Sequence, residues 1–151
     1  MTMGAPAAEP IGLLLTRAAK AISRAFDDAL AGAGGSLPMW QVLVSLKAKE
    51  HGAQRTLAEA VGIEGPTLTH HLNRMEAEGL LTRTRDPENR RVHRVELTDA
   101  GEAAFHRMRS AAFAFDAQLR NAVSDRELDA LRRTLAKLWR NADPSSAGGR
   151  V

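Results

Sequence analysis

The sequence contains no cysteine, so the chain cannot form disulfides, a thiolate zinc site or a thiol redox sensor. It also lacks an apolar run of the roughly 20 residues that a membrane-spanning helix needs. Residues 1–10 are rich in alanine and proline and lack the basic and apolar regions of a signal peptide. We therefore expect a cytoplasmic protein without a membrane partner.

Motifs that would indicate an enzyme are missing as well. No glycine-rich phosphate loop follows a predicted strand, and no nucleophile motif is present. No predicted element would hold two carboxylates facing each other. Glu102 and His106 have the i,i+4 spacing of a metal site, but no third ligand candidate accompanies them. The sequence predicts no enzyme, no cofactor and no metal site.

Length and composition indicate a folded chain. It has 151 residues, of which 26% are charged and 44% hydrophobic. This is enough for one domain with a core, or for one domain plus an oligomerisation element. The net charge of +3 favours an anionic partner only weakly. The charge is concentrated, however: between Thr82 and Arg94 there are five arginines and two acids.

Apolar residues recur at helical spacing over 10–31, and glycines at 32, 34 and 35 end this first predicted helix. Its apolar face is broad, and either a partner subunit or the rest of the chain could cover it. Ser36 is a predicted N-cap for a second helix that ends near His51. A third helix over 54–61, the turn 62–64 and a fourth helix over 65–79 have the spacing of a helix-turn-helix.

The fourth predicted helix has two contrasting faces. Leu68, Leu72 and Met75 form an apolar stripe. The opposite side consists of Pro66, Thr67, Thr69, His70, Asn73 and Arg74. Its polar groups are hydroxyls, an imidazole, an amide and a guanidinium, and it has no carboxylate. Such groups suit phosphate oxygens and base edges in a major groove. An ordinary solvated helix face is the alternative when this helix is considered alone.

A basic hairpin follows this helix. Residues 92–97 alternate as a strand does, except at Val92, and residues 80–85 lead out of the helix as the other predicted strand. Asp86, Pro87 and Asn89 mark the turn between them. Beyond it, Thr98 or Asp99 caps a fifth predicted helix that extends from about Ala100 to Asn121. Ser124 and Glu127 have capping-box spacing at the start of a sixth helix with an apolar stripe.

The order of these elements resembles the MarR family of winged-helix repressors. Four segments carry the likeness: L-P-M-W-Q-V-L, L-A-E-A-V-G-I-E-G-P-T-L-T, L-N-R-M-E-A-E-G-L-L-T-R and D-P-E-N-R-R-V-H-R-V-E-L-T-D-A-G. The G-I-E-x-P-[ST]-L turn and Trp40 are most similar to the SlyA-like branch. The fold class implied is mainly α with a small β-hairpin wing, a winged helix-turn-helix plus a helical dimerisation region.

The resemblance implies a domain organisation and a set of DNA contacts. The organisation is a flexible arm (1–9), a dimerisation helix (10–35), the winged helix-turn-helix (36–98), dimerisation helices (99–141) and a flexible tail (142–151). The homodimer would bind a pseudo-palindromic double-stranded operator. The implied contacts come from the fourth helix (Pro66, Thr67, Thr69, His70, Asn73, Arg74) and from the wing tip (Arg90, Arg91), with one wing arginine in the minor groove.

Two departures from the family pattern concern DNA binding. Many relatives have an arginine in place of His70, and many have an aspartate in place of Asn89 that pairs with the wing arginine. An amide gives that arginine no charge assistance, so we expect a looser wing here.

The resemblance to the SlyA-like branch also implies a ligand cavity beneath the fourth helix, which is the DNA-recognition helix of the family. Aromatic carboxylates such as salicylate bind in this cavity. Arg17, Trp40, Leu43 and His71 are the candidate lining residues. Alternatively, Arg17 pairs with a surface acid, Trp40 belongs to the core and His71 is a half-buried structural residue.

Sequence reasoning therefore predicts a sequence-specific DNA-binding regulator, a repressor released by a small aromatic ligand. A winged-helix protein-interaction module without specific DNA binding is the alternative. Neither the operator nor the regulated genes can be read from the chain.

Overall fold

The computed structural model describes residues 8–49, 51–53, 62, 65–90, 93–143 and 145. Two compact units divide the chain, Met1–Phe115 and Asp116–Val151. The predicted third helix at 54–61, most of the predicted turn at 62–64, most of the predicted arm at 1–9 and most of the predicted tail at 142–151 lie outside the described residues. Val92 and the wing residue Arg91 lie outside them as well. The first unit contains the helix-turn-helix region and the hairpin.

Two helices open the described part of the first unit, α1 (Ile11–Gly32) and α2 (Leu37–Lys49). Gly34 adopts a φ of 83° in the connection between them, a conformation that a residue with a side chain rarely takes. The hydroxyl of Ser36 accepts a hydrogen bond from the backbone N–H of Met39 at 3.4 Å. This contact confirms Ser36 as the residue that caps α2.

Helix α3 (Gly65–Ala77) buries the predicted apolar stripe, because Leu68, Leu72 and Met75 are all nearly inaccessible. The helix ends in a Schellman arrangement: Leu80 N–H donates to Met75 O at 2.9 Å and Gly79 N–H donates to Glu76 O at 3.0 Å. Gly79, with a φ of 76°, makes this reversal possible. The chain then leaves α3 directly into the sheet.

Three antiparallel strands form that sheet: β1 (His51–Ala53), β2 (Leu81–Arg85) and β3 (His93–Leu97), in the order β1-β3-β2. The two wing strands agree with the sequence pattern, whereas sequence reasoning ends a helix at His51 and assigns no strand there. A three-residue segment with a central glycine has no detectable alternation. It becomes a strand because the open edge of β3 offers backbone partners.

The core of this unit lies between α2, α3, the sheet and the first half of α4 (Asp99–Leu119). Thr98 links these parts. Its hydroxyl accepts from Gly101 N–H at 3.1 Å and donates to Gly79 O at 2.5 Å, so it caps α4 and ties that helix to the end of α3. Among the described residues, the side chains with no accessible surface include Leu30, Val42, Leu43, Leu46, Leu68, Leu72 and Val95.

Helix α5 (Asp125–Ala142) belongs to the second unit. Its predicted capping box is confirmed: Glu127 N–H donates to the Ser124 hydroxyl at 3.1 Å, and Ser124 N–H donates to the Glu127 carboxylate at 2.8 Å. The hydrogen bond from the Ser124 backbone N–H to the carboxylate is the largest cause of a lowered pKa for Glu127, and the Ser124 hydroxyl adds to it. The apolar stripe stays exposed in the single chain, with Leu131 50%, Leu135 41% and Trp139 67% accessible.

Candidate nucleic-acid interface

The outer face of α3 presents the polar groups that the sequence predicts. Pro66, Thr67, His70 and Asn73 are exposed. Thr69 is half-buried, and its hydroxyl donates to the carbonyl of Gly65 at 2.9 Å. The exposed imidazole and amide can therefore reach an approaching duplex, while the Thr69 hydroxyl is partly engaged with its own helix.

Arg74 extends from the same helix and is paired with Glu78. The guanidinium and the carboxylate are 3.2 Å apart, and 72% of the Arg74 side chain is accessible. An exposed i,i+4 pair of this kind stabilises the helix only slightly. Arg74 can thus exchange its partner for a phosphate without a large loss of stability.

Arg83, on β2, joins the wing to α3. Its backbone N–H donates to the Glu76 carboxylate at 2.9 Å, and its guanidinium donates to the same carboxylate at 3.2 and 3.4 Å. The guanidinium also donates to the side-chain oxygen of Asn73. Sequence reasoning does not anticipate these contacts, which fix the hairpin against the helix that carries the predicted DNA-reading face.

Hydrogen bonds from Arg83 lower the pKa of Glu76 from its ordinary value of 4.5, the side-chain contact being the largest cause. Burial acts in the opposite direction and is outweighed. Glu76 is therefore ionised at neutral pH and serves as an anionic anchor for the arginine.

At the tip of the wing, Asp86 organises the turn. One carboxylate oxygen accepts from the Glu88 N–H at 2.9 Å and the other accepts from Arg94 Nε at 3.2 Å. The backbone N–H of Glu88 is the largest cause of a lowered pKa for Asp86. Asp86 thus supplies a carboxylate–arginine pair in the wing, the kind of pair that Asn89 cannot make. Because this pair involves Arg94, the looser wing expected from Asn89 stays a prediction.

Arginines with accessible side chains continue outward from this turn. Arg85 lies at the end of β2, where its Cα is paired with that of His93, and Arg90 lies exposed in the turn. Arg91, the other predicted wing-tip contact, lies outside the described residues. The described wing therefore adds cations beside the polar face of α3.

The four predicted ligand-binding residues have different surroundings. Arg17 is mostly exposed and pairs with Glu9 at 2.7 Å. The Trp40 ring stacks on that of Phe105 with centroids 5.7 Å apart. Leu43 is fully buried in the core. These placements agree with the alternative in which Arg17 pairs with a surface acid and Trp40 packs in the core.

His71, the fourth of these residues, lines a cleft with a volume of about 240 Å³. The cleft lies between the α1–α2 connection, the start of α2 and the flank of α3. Its lining is Gly34, Gly35, Ser36, Pro38, Met39, His71, Arg74, Met75 and Glu78. Sequence reasoning misses Arg74 as a lining residue because it assigns that side chain to DNA alone.

Within the described residues, no three histidine or acidic side chains are grouped so as to hold a metal ion. Glu102 pairs with Lys47 at 2.9 Å. No single helix among the described residues is long and apolar enough to span a membrane, although α1 and α2 together, bent by 75°, meet the length and composition criteria.

A polar helix face beside a basic β-hairpin defines a winged-helix DNA-binding protein, and comparison with known proteins agrees. A family model described as MarR family matches residues 36–93. The transcriptional repressor CouR, solved bound to a 23-mer DNA duplex, is 30% identical, with 93% of this chain and 99% of that chain covered and a TM-score of 0.79.

Two further solved structures are similar. A probable transcriptional regulator from Pseudomonas aeruginosa is 28% identical, with 86% of this chain and 97% of that chain covered and a TM-score of 0.75. A MarR mutant from E. coli complexed with operator DNA is 21% identical, with coverages of 85% and 93% and a TM-score of 0.76, and supports the fold alone.

The chain belongs to the MarR family and is a DNA-binding transcriptional regulator, not an enzyme. The likeness to the SlyA-like branch stays a prediction.

Proposed function

We propose that the protein is a homodimeric repressor that binds a pseudo-palindromic DNA operator in the cytoplasm and is released by a small aromatic carboxylate. The observation that carries the DNA-binding part is the joining of α3 to the wing through Arg83, Glu76 and Asn73. A helix and hairpin held together in this way present base-reading and phosphate-binding groups as one surface.

In this proposal α3 enters the major groove. His70 and Asn73 contact base edges, while Pro66, Thr67, Thr69 and Arg74 contact the backbone and groove walls. Arg90 and Arg91 extend from the wing towards the adjacent minor groove. Residues 36–98 act as the DNA-binding domain.

Unpartnered apolar side chains support the homodimer. On α1, four aliphatic residues are 44–58% accessible in the single chain: Ile11, Leu13, Leu14 and Ile22. On α5, the Leu131, Leu135 and Trp139 stripe is exposed as well. Apolar surface on this scale favours association, and a two-fold dimer would place two recognition helices about one helical turn apart on DNA. Segments 10–35 and 99–141 are thus the proposed dimerisation region.

The cleft beside His71 is the proposed effector site. Met39 and Met75 provide apolar walls, and Arg74 and His71 provide nitrogen donors for a carboxylate. Because Arg74 also belongs to the proposed DNA-binding face, an anionic ligand in the cleft competes with a phosphate for the same guanidinium. Such competition gives the ligand the differential affinity for the DNA-free state that release requires.

The DNA-binding proposal is tested by affinity measurements across a range of salt concentrations. We expect a steep log–log slope for wild type, because each neutralised phosphate releases counterions. Arg90→Gln should weaken binding to all sequences and reduce the slope by about one unit. His70→Ala should instead change base preference at one position in each half-site, by about 1–3 kcal/mol.

Glu88→Gln, in the same turn as Arg90, is the control, since it removes a negative charge and should not weaken binding. A wild-type protein whose affinity for duplex hardly responds to salt would support the protein-interaction alternative. A preference profile unchanged in His70→Ala would show that His70 is not a base-reading residue.

The effector proposal is tested by titrating benzoate and salicylate against the protein–DNA complex and following Trp40 and Trp139 fluorescence. We expect release from wild type and from Arg17→Ala at the same ligand concentration, because Arg17 is paired with Glu9 away from the cleft. His71→Leu, which keeps the DNA-facing side chains, should raise the concentration needed about tenfold. Release that depends on Arg17 and not on His71 would contradict this site.

A further inference from the structure

The Asn73 amide is the best-defined group on the proposed reading face, because its partner fixes which way it points. A guanidinium has hydrogen-bond donors and no acceptor. The atom of Asn73 that faces Arg83 must therefore be the side-chain oxygen, as the structure has it. The amide NH₂ group, which carries two donors, is left for an approaching ligand.

Arg83 is itself firmly held. Only 17% of its side chain is accessible, and the Glu76 carboxylate accepts from both its backbone and its guanidinium. On β2 its Cα is paired with that of Val95, a fully buried residue of β3. Directly paired residues project from the same face of a sheet, so Arg83 lies on the face that packs against α3 and reaches Asn73 from there.

We propose that Arg83 is a positioning residue that makes Asn73 read DNA as a hydrogen-bond donor. This inference rests on the proposed placement of α3 in the major groove. An asparagine reads adenine with both amide atoms, its oxygen accepting from N6 and its nitrogen donating to N7. With its oxygen directed to Arg83, Asn73 instead favours an edge with two acceptors, which guanine provides through O6 and N7.

The inference is tested by selecting duplexes from a pool randomised across one half-site and then measuring the affinity of the protein for each selected duplex. Wild type should prefer guanine to adenine at the base pair that Asn73 contacts, and Asn73→Ala should lose that preference. Arg83→Met removes the guanidinium and keeps an unbranched stem. In this variant the guanine-to-adenine ratio at the same base pair should fall about tenfold, as expected for about 1.4 kcal/mol.

Arg85→Met is the matched control. Arg85 is exposed and lies two residues further along the same strand, on the same sheet face. Its substitution removes the same charge as Arg83→Met. This variant should weaken binding evenly and leave base preference unchanged. In an Asn73→Ala background, Arg83→Met should have no further effect on preference at that base pair. A uniform loss in Arg83→Met, equal to that of Arg85→Met, would overturn the positioning role.

Asn73→Asp provides a test that does not depend on Arg83→Met folding. The exposed aspartate keeps an acceptor for Arg83 and replaces the outward donor with a second acceptor. Preference at the contacted base pair should shift from guanine towards cytosine, whose N4 is a donor. Retention of the wild-type preference would overturn the inference.

The experiment separates a failure of sequence-specific DNA binding from a failure of the role proposed for Arg83 and Asn73. If wild type selects no sequence from the pool, sequence-specific DNA binding is wrong and the inference falls with it. If wild type selects a clear operator and neither Asn73 nor Arg83 changes any preference within it, only the role of this pair is wrong.

Discussion

Replacing Leu135 by glutamate is expected to convert the proposed homodimer into a monomer. It should also abolish operator binding at protein concentrations at which the wild type saturates the DNA. Leu135 lies between Leu131 and Trp139 on the exposed stripe of α5, one helical turn from each. Burying a leucine contributes about 1.5–3 kcal/mol. In a two-fold interface each substitution acts twice, and a buried unpaired carboxylate adds a desolvation penalty.

The loss of DNA binding follows from geometry. A dimer places two recognition helices on two half-sites, whereas a monomer retains the contacts of one half-site only, and each half-site then binds independently. Sedimentation velocity at micromolar concentration measures the assembly state, and a fluorescence anisotropy titration with a palindromic duplex measures affinity. Circular dichroism shows whether the variant keeps its helices.

Arg133→Glu is the matched control, because it introduces the same residue on the opposite side of α5, two positions away. This control should remain dimeric. A Leu135→Glu protein that still sediments as a dimer and binds the operator normally would show that α5 does not contribute to the interface, and the proposed dimerisation region would have to exclude it.

The long periodic elements are the most predictable parts of the fold. The sequence predicts the first helix over 10–31, and α1 spans Ile11–Gly32; the helix that carries the polar face begins at Gly65, as its pattern predicts. Such segments contain many turns of consistent apolar spacing, and their ends carry capping residues such as Ser36 and Ser124. Strand β1 is not predicted, because it forms by pairing with the edge of β3 and the local sequence does not reveal that neighbour.

Pairwise contacts in the site are less predictable than its location. Sequence reasoning places Asn73 on the outer face of the helix, but its contact with Arg83 depends on how the hairpin folds back on α3. Likewise, Trp40 meets Phe105, far along the chain, and not Arg17. Spacing along one helix determines which side chains share a face, whereas contacts between elements depend on packing that a single sequence leaves open.

Gly101→Ala is expected to destabilise the first unit by about 3 kcal/mol or more, because Gly101 leaves no room for a side chain. A Cβ atom at this position would lie 1.9 Å from the backbone oxygen of Leu80 and 3.1 Å from Leu97 Cδ2. The backbone of Leu80 cannot easily retreat. Its carbonyl accepts from Thr98 N–H at 3.1 Å, and its own N–H donates to Met75 O at 2.9 Å.

Two other glycines supply graded controls. Gly12 in α1 has no atom within 4 Å of the position that a Cβ would occupy, so Gly12→Ala should be neutral or stabilise by up to about 1 kcal/mol through helix propensity. At Gly35 the nearest obstacle is the Met108 sulfur, at 2.1 Å. That side chain is flexible and can move, so Gly35→Ala should cost less than Gly101→Ala.

Urea unfolding followed by circular dichroism measures all three substitutions. The expected order of midpoints is Gly12→Ala highest, Gly35→Ala intermediate and Gly101→Ala lowest. We also expect weaker DNA binding, because the clash separates the start of α4 from the link between α3 and β2. At this link Thr98 contacts the end of α3 and Arg83 joins α3 to the wing. Equal midpoints for Gly101→Ala and Gly12→Ala would mean that α4 does not pack against Leu80 as closely as the structure shows.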